Sequence, residues 1–104
     1  MQVKVTFRNS DSRDEIKKHA EEKIEKIKKF MHTPIQVGFI LSKDKMDHVS
    51  ELTVSGEGAH LSSSVSAGDY FTAIDESIEK MLVQLKKHKE KMKDRKGSKK
   101  PEIL

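Results

Sequence analysis

The chain has 104 residues, with 21 Lys and Arg against 17 Asp and Glu, so its formal charge at neutral pH is +4. This length fits a single domain with one modest core. Cysteine is absent, which excludes disulfides, thiolate-bound zinc, iron–sulfur clusters and thiol catalysis. No apolar run approaches the roughly 18 residues of a membrane span, and the charged start lacks the apolar stretch of a secretory signal. We therefore expect a soluble, cytoplasmic protein.

The net charge hides an uneven distribution along the chain. Residues 86–100 contain nine Lys or Arg and two acids, a charge of +7. The other 89 residues contain 12 bases and 15 acids, a charge of −3. Such a basic segment favours a polyanion as partner, with nucleic acid and an anionic membrane surface as the main candidates.

The first third of the chain predicts a strand followed by a helix. Residues 2–8 alternate apolar and polar side chains, as a half-buried strand requires. Ser12 followed by Glu15 has the spacing of a capping box, which predicts a helix start. An apolar stripe then recurs every three or four residues until Pro34 closes the segment. The stripe consists of Ile16, Ala20, Ile24, Ile27 and Met31, with Phe30 at its edge.

Three further strands are predicted over residues 35–42, 48–55 and 59–66, because side chains alternate there and turn residues separate the segments. The first of the three has apolar or small residues on both faces and is expected to be central. In the last, small serines stand among Leu61 and Val65. These assignments place three consecutive strands between two helices.

A second helix is predicted from Asp69, which has the side chain of an N-cap. Its apolar stripe consists of Phe71, Ile74, Ile78, Leu82 and Leu85. The helix is expected to reach about residue 95, roughly 40 Å, so its basic end should project beyond the core. Lys89 supports this expectation, because it shares the helical angle of Phe71 and would otherwise face the core.

The element order β-α-β-β-β-α predicts an α+β domain with a four-stranded, mostly antiparallel sheet. We expect both helices on one face of the sheet and water on the other. The domain is expected to cover residues 1–95, and Gly97, Ser98 and Pro101 indicate that residues 96–104 form a flexible basic tail.

The lysines of the second helix carry the strongest functional signal. Lys80, Gln84, Lys87 and Lys91 line up opposite the apolar stripe, and too few acids accompany them for i,i+4 neutralisation. Lysine rather than arginine favours contacts with phosphates over reading of base edges. On the first helix, Lys23 and Lys26 either cover the core edge or extend this surface. The predicted nucleic-acid-binding residues are Lys23, Lys26, Lys80, Gln84, Lys86, Lys87, Lys89, Lys91 and Lys93.

No catalytic or metal site is predicted. The five histidines form no metal-binding pattern, and the serines at 62–66 have no base at a readable spacing. Asp75 and Glu79 could hold a cation, but acids favoured by the dipole of the helix explain them better. We therefore expect no enzymatic activity, no cofactor and no small-molecule substrate, unless distant residues assemble a site.

The second helix also resembles a known family. Its segment DYFTAID, at 69–75, is followed by Lys80, Gln84 and the run KKHKEKMK. This pattern resembles the ribosome hibernation-promoting factor and ribosome-associated inhibitor A family in its short form. The first helix is similar to the family's Lys-apolar-x-Lys-apolar pattern at Lys23 and Lys26, and the resemblance spans about residues 1–93.

The resemblance implies a fold similar to double-stranded RNA-binding domains, with two parallel helices. It also implies a non-enzymatic factor that binds the small ribosomal subunit and its ribosomal RNA at the decoding region. Such a factor blocks tRNA and mRNA binding and inhibits translation in stationary phase or stress. Asp69 and Asp75 match acidic positions that we expect to be caps. The residues that match basic positions of the family, and would then contact ribosomal RNA phosphates, are Lys23, Lys26, Lys80, Lys87, Lys89 and Lys91.

The chain departs from the family pattern at three positions. Val83 replaces a frequent basic residue, Gly68 a frequent polar one, and Phe71 a tyrosine whose hydroxyl is therefore lost. The C-terminal dimerisation domain of the long form is also missing, so we expect a monomer off the ribosome and no ribosome dimerisation without another factor.

Two other functions fit the same charge pattern. One is a general double-stranded RNA-binding module or RNA chaperone without ribosome preference. The other is a membrane-surface helix, which is disfavoured because the stripe from Phe71 to Leu85 is expected to be used by the core.

Overall fold

The structure is a computed structural model that describes residues 2–30, 35–56 and 58–97, without the side chains of 59 and 89–97. Its elements follow the predicted order β-α-β-β-β-α, with boundaries close to those expected. They are β1 (Gln2–Arg8), α1 (Asp14–Lys28), β2 (Gln36–Asp44), β3 (Asp47–Gly56), β4 (Ala59–Ala67) and α2 (Tyr70–Gly97).

The four strands form one sheet in the order β1-β2-β3-β4. β1 and β2 are parallel, and the other two pairs are antiparallel. The parallel pair requires a long crossover, which α1 supplies. Phe39 in β2 lies opposite Val5 on one side and Leu52 on the other, so β2 is central, as predicted. The predicted α+β class and mostly antiparallel sheet are confirmed.

Both helices cover one face of the sheet and form a single core with it. The sheet side chains that point into this core belong to alternate positions, as the period of a strand requires. They are Val37, Phe39, Leu41, Leu52, Val54 and Val65. From α1 the predicted stripe of Ile16, Ala20, Ile24 and Ile27 is buried, and Met31 lies outside the described residues. On the other face, Lys4, Thr6, Thr53, Ser62 and Ser64 are exposed.

The start of α1 differs from the prediction. Arg13, not Ser12, is the N-cap, and no side chain caps this helix end. Glu15 Oε2 instead accepts a hydrogen bond from Arg13 Nη2 at 2.6 Å. The predicted Ser12–Glu15 capping box is therefore wrong, because an ion pair two residues away engages the carboxylate that would have closed it. Asp14 and Glu15 still place negative charge in the first turn, which suits the helix dipole.

The start of α2 is capped as predicted. Asp69 Oδ1 accepts the backbone N–H of Thr72 at 2.8 Å, and its Oδ2 accepts the Thr72 hydroxyl at 3.1 Å. These two hydrogen bonds, the backbone one first, stabilise the ionised carboxylate and hold the pKa of Asp69 below its ordinary value. The cap is therefore stronger when Asp69 is ionised.

The buried face of α2 begins one residue earlier than predicted. Tyr70 is 4% exposed, whereas Phe71 is 37% exposed, so the assignment of Phe71 to the core stripe is wrong. The Tyr70 ring packs edge-on against His48 and Phe7, with centroid distances of 4.6 and 6.0 Å. Lys89 shares its helical angle with Phe71, and because this angle does not face the core, Lys89 does not indicate where the helix leaves the core.

Small side chains on the buried face of α2 explain why the helix is rotated so that Tyr70, and not Phe71, faces the core. Ser77 and Ser50 are fully buried, and their hydroxyl oxygens lie 3.0 Å apart. Ser77 Oγ also donates to Ile74 O at 2.9 Å, and Ser63 Oγ donates to Ser77 O at 2.9 Å. These contacts, together with the buried Ala73, bring the backbone of α2 close to β3 and β4. A stripe drawn through the large apolar residues does not include Ala73 and Ser77, so it does not predict this buried strip.

α2 is longer than the strands it covers. It has 28 residues, about 42 Å, against nine residues in β4. The last described core residue is Leu85, and the helix continues for twelve residues to Gly97, about 18 Å. The predicted extension to about residue 95 is confirmed, while residues 98–104 of the predicted tail lie outside the described residues. Neither helix, within the described residues, is long and apolar enough to cross a membrane.

The buried serine contact predicts a non-additive effect on stability. Ser77→Ala leaves the Ser50 hydroxyl buried without its partner, and we expect a loss of about 1–3 kcal/mol in the free energy of unfolding. In Ser50→Ala/Ser77→Ala no buried hydroxyl is left unpaired, so the double variant should lose less than the sum of the single losses. Urea denaturation of the four proteins measures this coupling, and strictly additive losses would contradict it.

The Asp69 cap predicts a pH-dependent contribution to stability. Because the pKa of Asp69 is lowered by folding, its contribution is complete above its unfolded pKa of about 3.9 and is lost as the pH falls through the native value. The difference in melting temperature between wild type and Asp69→Ala should therefore be present at pH 6 and shrink below pH 4. Asp69→Asn caps without titrating, so its advantage over Asp69→Ala should persist at low pH. A wild-type advantage that is constant with pH would exclude the charged cap.

Candidate nucleic-acid interface

The two helices lie side by side and run in the same direction, joined by a row of polar contacts. His19 Nε2 lies 2.7 Å from Asp75 Oδ1, and Lys26 Nζ lies 3.3 Å from Glu79 Oε2. Lys23 Nζ is 3.9 Å from Asp75 Oδ1, at the limit of an ion pair. The residue numbers rise together on both helices, which fixes their parallel orientation and matches the arrangement that the resemblance implied.

These contacts change the interpretation of the predicted site on α1. Lys23 and Lys26 do extend towards α2, but they meet the carboxylates of Asp75 and Glu79 rather than adding free charge to its surface. The explanation of Asp75 and Glu79 as dipole acids is wrong, because the first turn of α2 contains no acid. Their role in this fold is to pair with α1.

The lysines of α2 are in a different position. Lys80, Lys86 and Lys87 are exposed, and no carboxylate among the described side chains lies within ion-pair distance of them. We call Lys80 and Lys87 the α2 lysine face, whereas Lys86 lies about 100° from Lys87 around the helix, close to the angle of Glu79, and is a separate exposed cation. Lys80 and Lys87 are seven residues apart, so they differ by only about 20° around the helix and lie about 10 Å apart along it. That spacing gives a rigid array of cations on the side of α2 away from the core.

Gln84, another predicted site residue, is engaged with the sheet. Its Nε2 donates to Ser62 O at 2.7 Å, and the residue is half-buried. Ser62 belongs to β4, the edge strand, whose outer carbonyls would otherwise be open to another strand. Gln84 therefore lies at the boundary between the α2 lysine face and the covered sheet edge.

Three predicted site residues lie beyond the described side chains. The backbone of Lys89, Lys91 and Lys93 belongs to α2, whereas their side chains are outside the described part of the structure. No group of three or more His, Asp or Glu residues able to hold a metal occurs among the residues described.

Two apolar side chains of α2, Phe71 and Val83, are exposed, which the apolar stripe did not predict. Phe71 packs edge-on against His19 of α1, with ring centroids 5.0 Å apart. Val83 is 54% exposed and lies next to the α2 lysine face. Its helical angle, about 140° from the core residue Ile78, could have identified it as outward-facing.

The family of the chain follows from comparison with known proteins. The model of the family described as Sigma 54 modulation protein / S30EA ribosomal protein matches residues 3–93. The chain belongs to this family. This result confirms the resemblance drawn from the second helix, and the matched segment contains every predicted site residue, including those on α1.

Relatives in this family carry a consistent name. The ribosome hibernation promoting factor of Escherichia coli strain K12 is 30% identical over 93 residues, covering 89% of this chain and 98% of that protein. The ribosome hibernation promoting factor of Azotobacter vinelandii is 30% identical over 101 residues, covering 97% of this chain and 94% of that protein.

Two solved structures have the same fold. The N-terminal domain of Protein Y from Thermus thermophilus matches with a TM-score of 0.79 at 21% identity, covering 85% of this chain and 99% of that one. A ribosomal subunit interface protein from Coxiella burnetii matches with a TM-score of 0.75 at 19% identity, covering 86% and 98%. These likenesses support the two-helix, four-strand architecture of this S30EA-family member.

Proposed function

We propose that this protein is a ribosome hibernation factor. In this proposal it binds the small ribosomal subunit at the decoding region, blocks tRNA and mRNA binding, and inhibits translation in stationary phase or stress. Family membership and the names of its relatives support the ribosome as target. The observation that carries the proposal is the α2 lysine face, exposed and without a carboxylate partner among the described side chains.

The chemistry of this face suits ribosomal RNA. Lysine ammonium groups make point-charge contacts with phosphates, and they do not offer the bidentate geometry that reads guanine edges. Such a surface recognises the arrangement of a phosphate backbone rather than a base sequence. The folded ribosomal RNA of a subunit provides a fixed arrangement of phosphates, which a rigid helix can match without ordering itself on binding.

The length of α2 extends this surface. The helix continues for about 18 Å past Leu85, and its sequence there supplies Lys89, Lys91 and Lys93. Since the backbone of this segment is helical, the added charges are presented on the same rod as Lys80 and Lys87. We propose that this rod enters a groove of the subunit lined by RNA, and that steric blockade of tRNA and mRNA follows from its occupancy.

The role proposed for the protein is binding, without catalysis, a cofactor or a small-molecule substrate. It acts as a monomer off the ribosome and in the cytoplasm, where ribosomes are found. A general double-stranded RNA-binding module is the second candidate, because a phosphate-recognising surface could also serve any long duplex. The two differ in selectivity, since only the first requires a strong preference for the assembled small subunit.

The α2 lysine face can be tested by charge reversal. We expect Lys80→Glu/Lys87→Glu to weaken binding to small subunits by about tenfold or more near 0.1 M salt, as two phosphate contacts become repulsive. The slope of log affinity against log salt should become shallower by about 1.4–1.8, or about 0.7–0.9 per lost contact. Cosedimentation with purified small subunits over a salt series measures both quantities.

A matched control changes the same total charge elsewhere. Lys4→Glu/Arg8→Glu reverses two exposed cations of β1 that point away from the helices. This control should retain most of the affinity of the wild type, because only long-range electrostatics are altered. Equal weakening by both double variants would overturn the assignment of the binding surface.

Blockade of the decoding region predicts competition with tRNA. Filling the tRNA sites of empty small subunits or ribosomes with excess tRNA should displace the labelled protein, and the protein should likewise lower tRNA occupancy. Filter binding with separately labelled components measures both directions of this linkage. Full simultaneous occupancy of the tRNA sites and the protein would rule out steric blockade.

A further inference from the structure

The ion pair between Lys26 and Glu79 places a carboxylate where the proposed function needs a phosphate. Lys26 Nζ lies 3.3 Å from Glu79 Oε2 across the groove between the helices. Carboxylate and phosphate oxygens compete for the same ammonium group, since both are anionic acceptors of charge-assisted hydrogen bonds. RNA that approaches Lys26 therefore meets a negative charge already bound there.

The pair is accessible and weak enough to be exchanged. The side chains of Lys26 and Glu79 are 48% and 64% exposed, so an incoming phosphate can reach the ammonium group without unfolding either helix. Exposed ion pairs contribute little to stability, and the long side chain of glutamate can swing out into water. Exchange costs the ion pair and leaves a repulsive carboxylate near the phosphate.

The neighbouring pair shows why the effect centres on Glu79. Asp75 accepts a close contact from His19 at 2.7 Å, whereas Lys23 stands off at 3.9 Å. Asp75 is therefore engaged chiefly by the imidazole, and it screens Lys23 less directly. Glu79 has Lys26 as its single ion-pair partner among the described side chains, so Glu79 and Lys26 can be separated cleanly by mutation.

The α2 lysine face provides the contrast on which the inference depends. Lys80 and Lys87 have no such carboxylate among the described side chains and are ready to bind any polyanion. At the two helices, Lys80 and Lys87 of α2 are thus open to a ligand, whereas Lys26 of α1 is paired with a carboxylate. A ligand that contacts only the outer side of α2 binds Lys80 and Lys87 and does not reach Lys26.

We propose that Glu79 is a specificity-determining residue that screens Lys26 from RNA in general. Lys26 then adds to binding only on a surface that places a phosphate in the groove between α1 and α2 while other phosphates hold the α2 lysine face. This inference rests on the proposed function, because the surface in question is the small ribosomal subunit. Generic duplex RNA, which lacks that fixed arrangement, gains nothing from Lys26 while Glu79 is charged.

The test is a double-mutant cycle on a 20-base-pair RNA duplex of arbitrary sequence and, separately, on small subunits. Glu79→Gln should bind the duplex about two- to fivefold more tightly than wild type at low salt, as expected for one freed cation. Its salt slope should steepen by about 0.7–0.9. Lys26→Gln leaves the Glu79 carboxylate unpaired, so it should weaken duplex binding only slightly, as the loss of one surface charge does. In the double variant the gain from Glu79→Gln should fall to that expected from removing any single surface carboxylate.

Two further variants control for net charge and for folding. Glu21→Gln removes the same charge from an exposed position of α1 whose helical angle lies on the flank away from α2, and it should change duplex affinity by less than the Glu79 variant. Glu79→Asp keeps the charge but withdraws the carboxylate by one methylene, and its duplex affinity should fall between wild type and Glu79→Gln.

The results separate this inference from the proposed function. The inference is overturned if Glu79→Gln gains no more than Glu21→Gln, or if its full gain persists without Lys26. It is also overturned if Lys26→Gln weakens duplex binding as much as it weakens subunit binding. The proposed function stands or falls on another result, the preference of the wild-type protein for small subunits over the duplex, which the cycle on the duplex does not use.

Discussion

The packing of two helices on one face of a single sheet determines what each helix can offer to a partner. Every helix must turn its apolar stripe down into the shared core, so its remaining sides are fixed in direction. For α2 the close approach at Ser77 sets that rotation, because only small side chains allow the helix backbone so near β3 and β4. Because Ser77, Ile78 and Met81 are buried against the sheet, Lys80 and Lys87 must point outward.

The same packing sets the neighbours of α1. α1 follows β1, and α2 follows β4, a strand that runs in the same direction as β1. Because both helices return across the same face of the sheet, they run in the same direction and lie side by side. His19, Lys23 and Lys26 then face α2, whose own acids stand at Asp75 and Glu79. Ion pairs at this exposed seam contribute little to the free energy of folding. Their greater effect is electrostatic, since they remove free positive charge from the groove and leave it concentrated on the outer side of α2.

Much of the fold could be predicted from the sequence, since its elements depend on local patterns. Alternation in β1 to β4, the spacing of Ile16 to Ile27, and the Asp69 cap are properties of short segments, and the structure confirms them. Two local predictions failed for reasons outside the pattern. Arg13 engaged the carboxylate that Ser12 needed, and a strip of Ala73 and Ser77 rotated α2 so that Tyr70 replaced Phe71 in the core.

The site was less predictable because it depends on contacts between elements. The sequence shows that Lys80 and Lys87 share a helical angle, which is a local property, but not that Glu79 reaches Lys26 across 53 positions of the chain. Gln84 is similar, since its spacing aligns it with the lysines while its amide bonds to Ser62 of the edge strand. The position of a residue on a helix predicts the direction of its side chain. The partner that the side chain meets there depends on how the helices and strands pack, which the local sequence does not show.

The length of α2 determines how many of its lysines lie beyond the acids that pair with α1. Over the core, where α1 lies alongside, carboxylates of α2 face the lysines of α1 and limit the charge that an unselective polyanion can reach. Past Leu85 the helix runs on to Gly97 with a sequence rich in lysine and poor in acid. A short helix that ended with the core would leave only Lys80 beyond its paired acids. The twelve residues from 86 to 97 contain seven bases and two acids, and they carry this charge past the acids that would otherwise neutralise it, as the proposed binding to a phosphate-lined surface requires.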